Sequence, residues 1–73
     1  MKFEIKKRFG GVAFTAEIDC AAEAEHGVKL GLAVKVALEA KAYLRGANLY
    51  GAYLRGANLS GANLYGANLY GAD

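Results

Sequence analysis

A chain of 73 residues has room for one small domain, which at this size hides only about 60% of the surface its unfolded form exposes. Apolar residues at 55% and charged ones at 22% exclude a solvated disordered tail. Nine basic against seven acidic residues leave a net charge of +2, too weak for a nucleic-acid footprint and of the wrong sign to imitate DNA.

The N-terminal third alternates. Phe3, Ile5 and Phe9 lie on one side of a first extended run, and Val12, Phe14, Ala16, Ile18 and Cys20 on one side of a second. Gly10-Gly11 between them reads as a two-residue hairpin turn. Pairing across that turn sets Phe9 opposite Val12, Lys7 opposite Phe14, Ile5 opposite Ala16 and Phe3 opposite Ile18. The apolar residues then share one face, with the aliphatic stem of Lys7 along Phe14. After an Ala/Glu segment and His26-Gly27, the spacing predicts a helix from Val28 to about Lys41. Leu30, Ala33, Val34, Ala37 and Leu38 share one face, and Lys35 and Glu39 stand opposite as an i,i+4 pair. Val28, Leu32 and Val36 widen the apolar stripe, which implies burial on two sides.

From residue 42 the chain reads AYLRG ANLYG AYLRG ANLSG ANLYG ANLYG AD. Ala, Leu and Gly each recur every fifth residue. That period matches neither the helical 3.6 nor the strand's 2.0, and a Gly at this spacing would cost a helix roughly 0.5–1 kcal/mol each time. A regularly turning backbone, with Ala and Leu inward and Gly at the bends, fits better.

This tract resembles the pentapeptide-repeat family, whose motif is A-(N/D)-L-x-x with Gly common in the last place. The resemblance implies a mainly β fold: a right-handed quadrilateral β-helix of about one and a half coils, capped by the N-terminal β-hairpin and one α-helix. Residues 1–41 would form the cap and 42–73 the solenoid, one continuous unit. Its interior would hold Ala42, Leu44, Ala47, Leu49, Ala52, Leu54, Ala57, Leu59, Ala62, Leu64, Ala67 and Leu69. Residues twenty apart would stack, Tyr50 over Tyr70, Asn48 over Asn68 and Arg45 over Tyr65. Tyr43 and Tyr53 depart from the motif by standing where Asn or Asp is usual. The local side-chain to backbone hydrogen bond of an Asn is lost there.

The repeat stops at Ala72-Asp73, inside a unit, with nothing after it to cover the last coil. A fragment of a longer solenoid, an end-to-end pair or a longer stack would each account for this. Self-association is favoured, because a two-fold contact between identical ends closes whereas head-to-tail stacking collides with the cap. Leu59, Leu64, Leu69, Tyr65, Tyr70 and Ala72 are its candidate contacts.

Convergent chemistry is absent from the pattern. Cys20 continues an apolar strand face, where a thiol behaves as a small hydrophobe, and His26 before Gly27 reads as an exposed turn or helix-end residue. One His and one Cys fall short of a four-ligand zinc site, and no phosphate-binding glycine motif occurs. Neither a catalytic residue nor a cofactor is expected. The expectation is a non-enzymatic structural or protein-interaction module with itself and an unidentified protein as partners. Better-understood relatives in the family bind DNA gyrase by imitating the duplex; that alternative is disfavoured here by basic charge and short length. With no signal peptide, no aliphatic span and a single Cys, a cytoplasmic protein without a membrane partner is expected.

Overall fold

The computed structural model describes residues 1–20, 22–57, 59, 64 and 66–72. Strand β1 (Lys2–Lys6), strand β2 (Val12–Glu17) and helix α1 (His26–Glu39) precede the repeat tract. β1 and β2 pair antiparallel, Phe3 against Ala16 and Ile5 against Phe14, then Lys6 against Val12 after a bulge between Ile5 and Lys6. The expected register is therefore displaced by two residues. Up to the bulge this even displacement keeps each side chain on its own face, so Ile5 and Ala16 are buried and Phe3 and Phe14 half-buried as the alternation required; beyond it Val12 stands opposite Lys6 and is 42% exposed.

The tight turn is a correction of larger consequence. A loop over residues 7–11 replaces it, closed by the Lys7 N–H donating to the Gly11 carbonyl at 3.0 Å. Phe9 leaves the apolar face altogether and is 91% exposed, and Phe14 stands opposite Ile5 rather than Lys7. The cause is a second partner for the end of β1. Asn48 N–H donates to the Lys6 carbonyl and Arg8 N–H to the Gly46 carbonyl, both at 2.7 Å, around an antiparallel bridge between Lys7 and Ala47. Hydrogen bonding thus runs from β2 through β1 into the repeat tract. An isolated hairpin is marginal in water; this two-stranded one is tied to the repeats through an isolated bridge and its flanking hydrogen bonds.

The other end of the hairpin is tied by the chain's first residue. The Met1 ammonium donates to the Ile18 carbonyl and pairs with the Glu17 carboxylate, each at 2.8 Å. The hydrogen bond and charge of that ammonium hold the Glu17 carboxyl below its ordinary 4.5. A lowered folded-state value means that the stabilisation is complete above the unfolded pKa and is lost as pH falls through the folded one. Acetylating the N-terminus is expected to return the Glu17 titration, followed by carboxyl NMR shifts, toward its ordinary value. An unmoved midpoint would contradict the pairing.

Helix α1 starts two residues earlier than expected, with Glu25 as its N-cap, and ends at Glu39. Its stop is a Schellman closure: Lys41 takes φ +58°, its N–H reaches the Leu38 carbonyl, and Ala42 N–H reaches that of Ala37. Leu30, Gly31, Ala33, Val34 and Ala37 are buried, while Val28, Leu32, Val36 and Leu38 are half-buried. Leu30, Ala33, Val34 and Ala37, with Leu32, Val36 and Leu38 packed against them, form one core with Ile5, Ala16 and Ile18 from the hairpin and Leu44, Ala47, Leu49, Ala52 and Leu54 from the repeats. Among the described residues no helix is long and apolar enough to cross a membrane.

Candidate functional site

The five-residue period has a local cause. Leu44–Ala47, Leu49–Ala52, Leu54–Ala57, Leu64–Ala67 and Leu69–Ala72 are each closed by the Ala N–H donating to the Leu carbonyl three residues earlier, at 2.9–3.1 Å. The Gly in the third place has φ between 70° and 80° each time. This is a type II turn, whose third residue needs a positive φ that a side chain resists. Gly recurs every fifth residue because a turn does.

Successive turns bring the chain back beside itself. Asn48 and Asn68, twenty residues apart, form a parallel bridge; Asn68 N–H donates to the Ala47 carbonyl and Leu49 N–H to that of Asn68, both at 2.9 Å. Gly51 N–H continues the ladder to the Tyr70 carbonyl. Outside it, the Tyr50 and Tyr70 rings stack with centroids 5.6 Å apart. The Asn48 and Asn68 carboxamides lie 3.4 Å apart, and each accepts the N–H two residues on, from Tyr50 and Tyr70. That is the local bond an Asn supplies at a turn.

Leu44, Ala47, Leu49, Ala52 and Leu54 are buried, Leu44 and Leu49 completely; Ala42, Ala57, Leu64 and Ala67 are half-buried. Leu59 and Leu69 depart from the interior expected for them and are 37% and 42% exposed. The described residues place no further layer over that side of the tract. Tyr70 beside them is 74% exposed and Ala72 half-buried, while Ala62, Tyr65 and the pairing of Arg45 with Tyr65 lie outside the described residues.

Besides the bonds of β1 to residues 46–48, three further contacts between the N-terminal half and the repeats were not evident from the periodicity. The helix approaches residues 51–53 through Gly27 and Gly31, and Tyr53 N–H donates to the Gly27 carbonyl at 3.0 Å. The Tyr53 hydroxyl donates to the Glu25 carboxylate at 3.4 Å. Arg8 donates through Nη1 to the Gly66 carbonyl at 3.1 Å. The first has a sequence signal, since glycines four apart share one helix face and permit backbone to approach backbone. It also accounts for one departure from the repeat motif, because Tyr53 lies under the helix where an Asn would contact little.

Cys20 and His26 have separate neighbours. The Cys20 sulfur is 3.9 Å from that of Met1, and the exposed His26 ring is tilted against Phe3 with centroids 5.6 Å apart. No cluster of three or more metal-ligating side chains occurs among the described residues. Comparison with known proteins adds one match. Residues 40–73 fit the family model described as pentapeptide repeats (8 copies), whereas no curated protein and no solved structure matches the chain. That tract, with its type II turns and its twenty-residue return, is similar to the pentapeptide-repeat family.

Proposed function

We propose that this protein is a non-enzymatic structural or protein-interaction module. Residues 42–73 wind into a right-handed, four-sided β-solenoid of about one and a half coils, capped by residues 1–41, and its uncovered face associates with a second copy. The observation that carries the reading is the parallel pairing of Asn48 with Asn68. A twenty-residue return built of five-residue turns supports four sides per coil. Burial of Leu44 and Leu49 supports an apolar axis. The cap reading rests on the hydrogen bonds from residues 46–48 and 53 to the hairpin and helix, which saturate an edge that would otherwise be open.

Self-association rests on the opposite edge. In a parallel ladder, alternate residues turn their backbone groups to opposite sides, so the Ala67 carbonyl and Leu69 N–H point away from the first layer. Of the candidate contacts, Leu59, Leu69 and Tyr70 are exposed and Leu64 and Ala72 half-buried, while Tyr65 is carried from the sequence expectation alone. Two such faces meeting about a two-fold axis cover apolar surface and close the assembly. Light scattering over a concentration series is expected to give a dimer or larger species, shifted toward monomer by Leu69→Glu without loss of secondary structure. A folded monomer at every concentration would overturn this. The gyrase alternative draws no support from charge, because Lys41, Arg45 and Arg55 face only Asp73 over the last 33 residues.

A further inference from the structure

Phe9, at the hairpin tip, has no place in the hydrophobic core. Phe9 is the most exposed large apolar side chain of the described residues, at 91%, and no packing requirement of the fold places it there. Residues 5–16 contain Lys6, Lys7 and Arg8 and no acid, and all three cations are exposed. The tip is also braced. Lys7 N–H closes the loop onto Gly11, Arg8 N–H is bonded to Gly46, and the Arg8 guanidinium donates to Gly66 while lying 5.1 Å from the Phe9 ring centroid. An aromatic ring is thus held at the apex of a convex loop, with cations at its base.

We propose that this tip is a peripheral docking point for an anionic lipid surface, with Phe9 entering the headgroup region and Lys6, Lys7 and Arg8 contacting lipid phosphates and carboxylates. Charge complementarity selects an anionic occupant, since basic residues gather near negatively charged bilayers. Shape selects the bilayer among anionic partners. A protruding ring needs a matching pocket in a folded protein, whereas a headgroup region parts around it. Three cations are few for a nucleic-acid footprint. The sequence led to the expectation of no membrane partner, which rested on the lack of an aliphatic segment; a surface contact needs none. This inference is independent of the solenoid's own association, although a dimer presenting two tips would bind with higher avidity.

Co-sedimentation of the full chain with vesicles tests it. Binding is expected to an equal mixture of phosphatidylcholine and phosphatidylserine and not to phosphatidylcholine alone, and to weaken as salt is raised. Phe9→Ser and Lys7→Glu are each expected to reduce binding about tenfold with an unchanged melting temperature, because both side chains lie outside the core. A Phe9→Trp variant is expected to shift its emission to the blue on adding the mixed vesicles. Equal sedimentation with and without phosphatidylserine, or Phe9→Ser binding like the unaltered chain, would overturn the proposal. So would duplex DNA competing the protein off the vesicles through these same residues while Phe9→Trp emission stays that of a ring in water.

Discussion

Replacing Leu49 by lysine is expected to abolish cooperative unfolding. Leu49 is completely buried and belongs to the core shared by hairpin, helix and repeats, and its N–H donates to the Asn68 carbonyl in the ladder. An unpaired ammonium there costs on the order of 3–5 kcal/mol, about the whole stability that a domain of this size draws from its core. The buried residues beside it offer no carboxylate, since no polar or charged side chain is buried among the described residues. Circular dichroism against temperature should show a broad, non-sigmoidal loss of signal. Tyr50→Ser, one residue on and 56% exposed, removes only one ring of an exterior stack and is expected to change stability by less than about 0.5–1 kcal/mol. Sigmoidal melting of Leu49→Lys near the original temperature would mean that Leu49 is not interior.

Gly31→Ala is the second large effect, and its sign is the test. In an unencumbered helix this change stabilises by roughly 0.5–1 kcal/mol, because Gly has more backbone freedom to lose. Here a methyl at residue 31 would collide with the backbone carbonyl oxygen of Tyr53 and crowd its carbonyl carbon. Backbone cannot swing aside as a side chain does, so the helix must back away. That would break the Tyr53 N–H bond to Gly27 and expose apolar surface on both partners. A net loss of about 1–3 kcal/mol is expected, as for overpacking elsewhere. It would appear as a lower urea midpoint with an unchanged slope. A gain in stability would show that the helix does not touch the repeats where Gly31 places it.

What could be read without coordinates follows from how local each signal is. The five-residue recurrence of Ala, Leu and Gly implies bends at fixed intervals, and the bends are type II turns with Gly at the positive-φ place. Such a turn is decided by four consecutive residues, so sequence states it almost completely. The apolar alternation of 3–9 and 12–18 likewise assigns a face to each strand residue. That assignment survives any even displacement of register, which is why a two-residue displacement left Ile5 and Ala16 buried. The helical stripe at Leu30, Ala33, Val34 and Ala37 is of the same kind.

The rest depended on residues far apart in the chain. Gly10-Gly11 looks like a tight hairpin, yet the end of β1 is drawn onto residues 46–48, and the loop opens to 7–11 and turns Phe9 to solvent. The helix stops at Glu39 because Lys41 adopts a left-handed conformation usually left to Gly, and no residue preference announces that. Glycines at 27 and 31 hint at a close approach, but only the packed molecule names Tyr53 as what they approach. Turns and side-chain periodicities are short-range, set by sterics within a few residues. The pairing of one segment with another is chosen by the free energy of the whole molecule, and here that choice settled the register, the loop and the fit of helix to repeats.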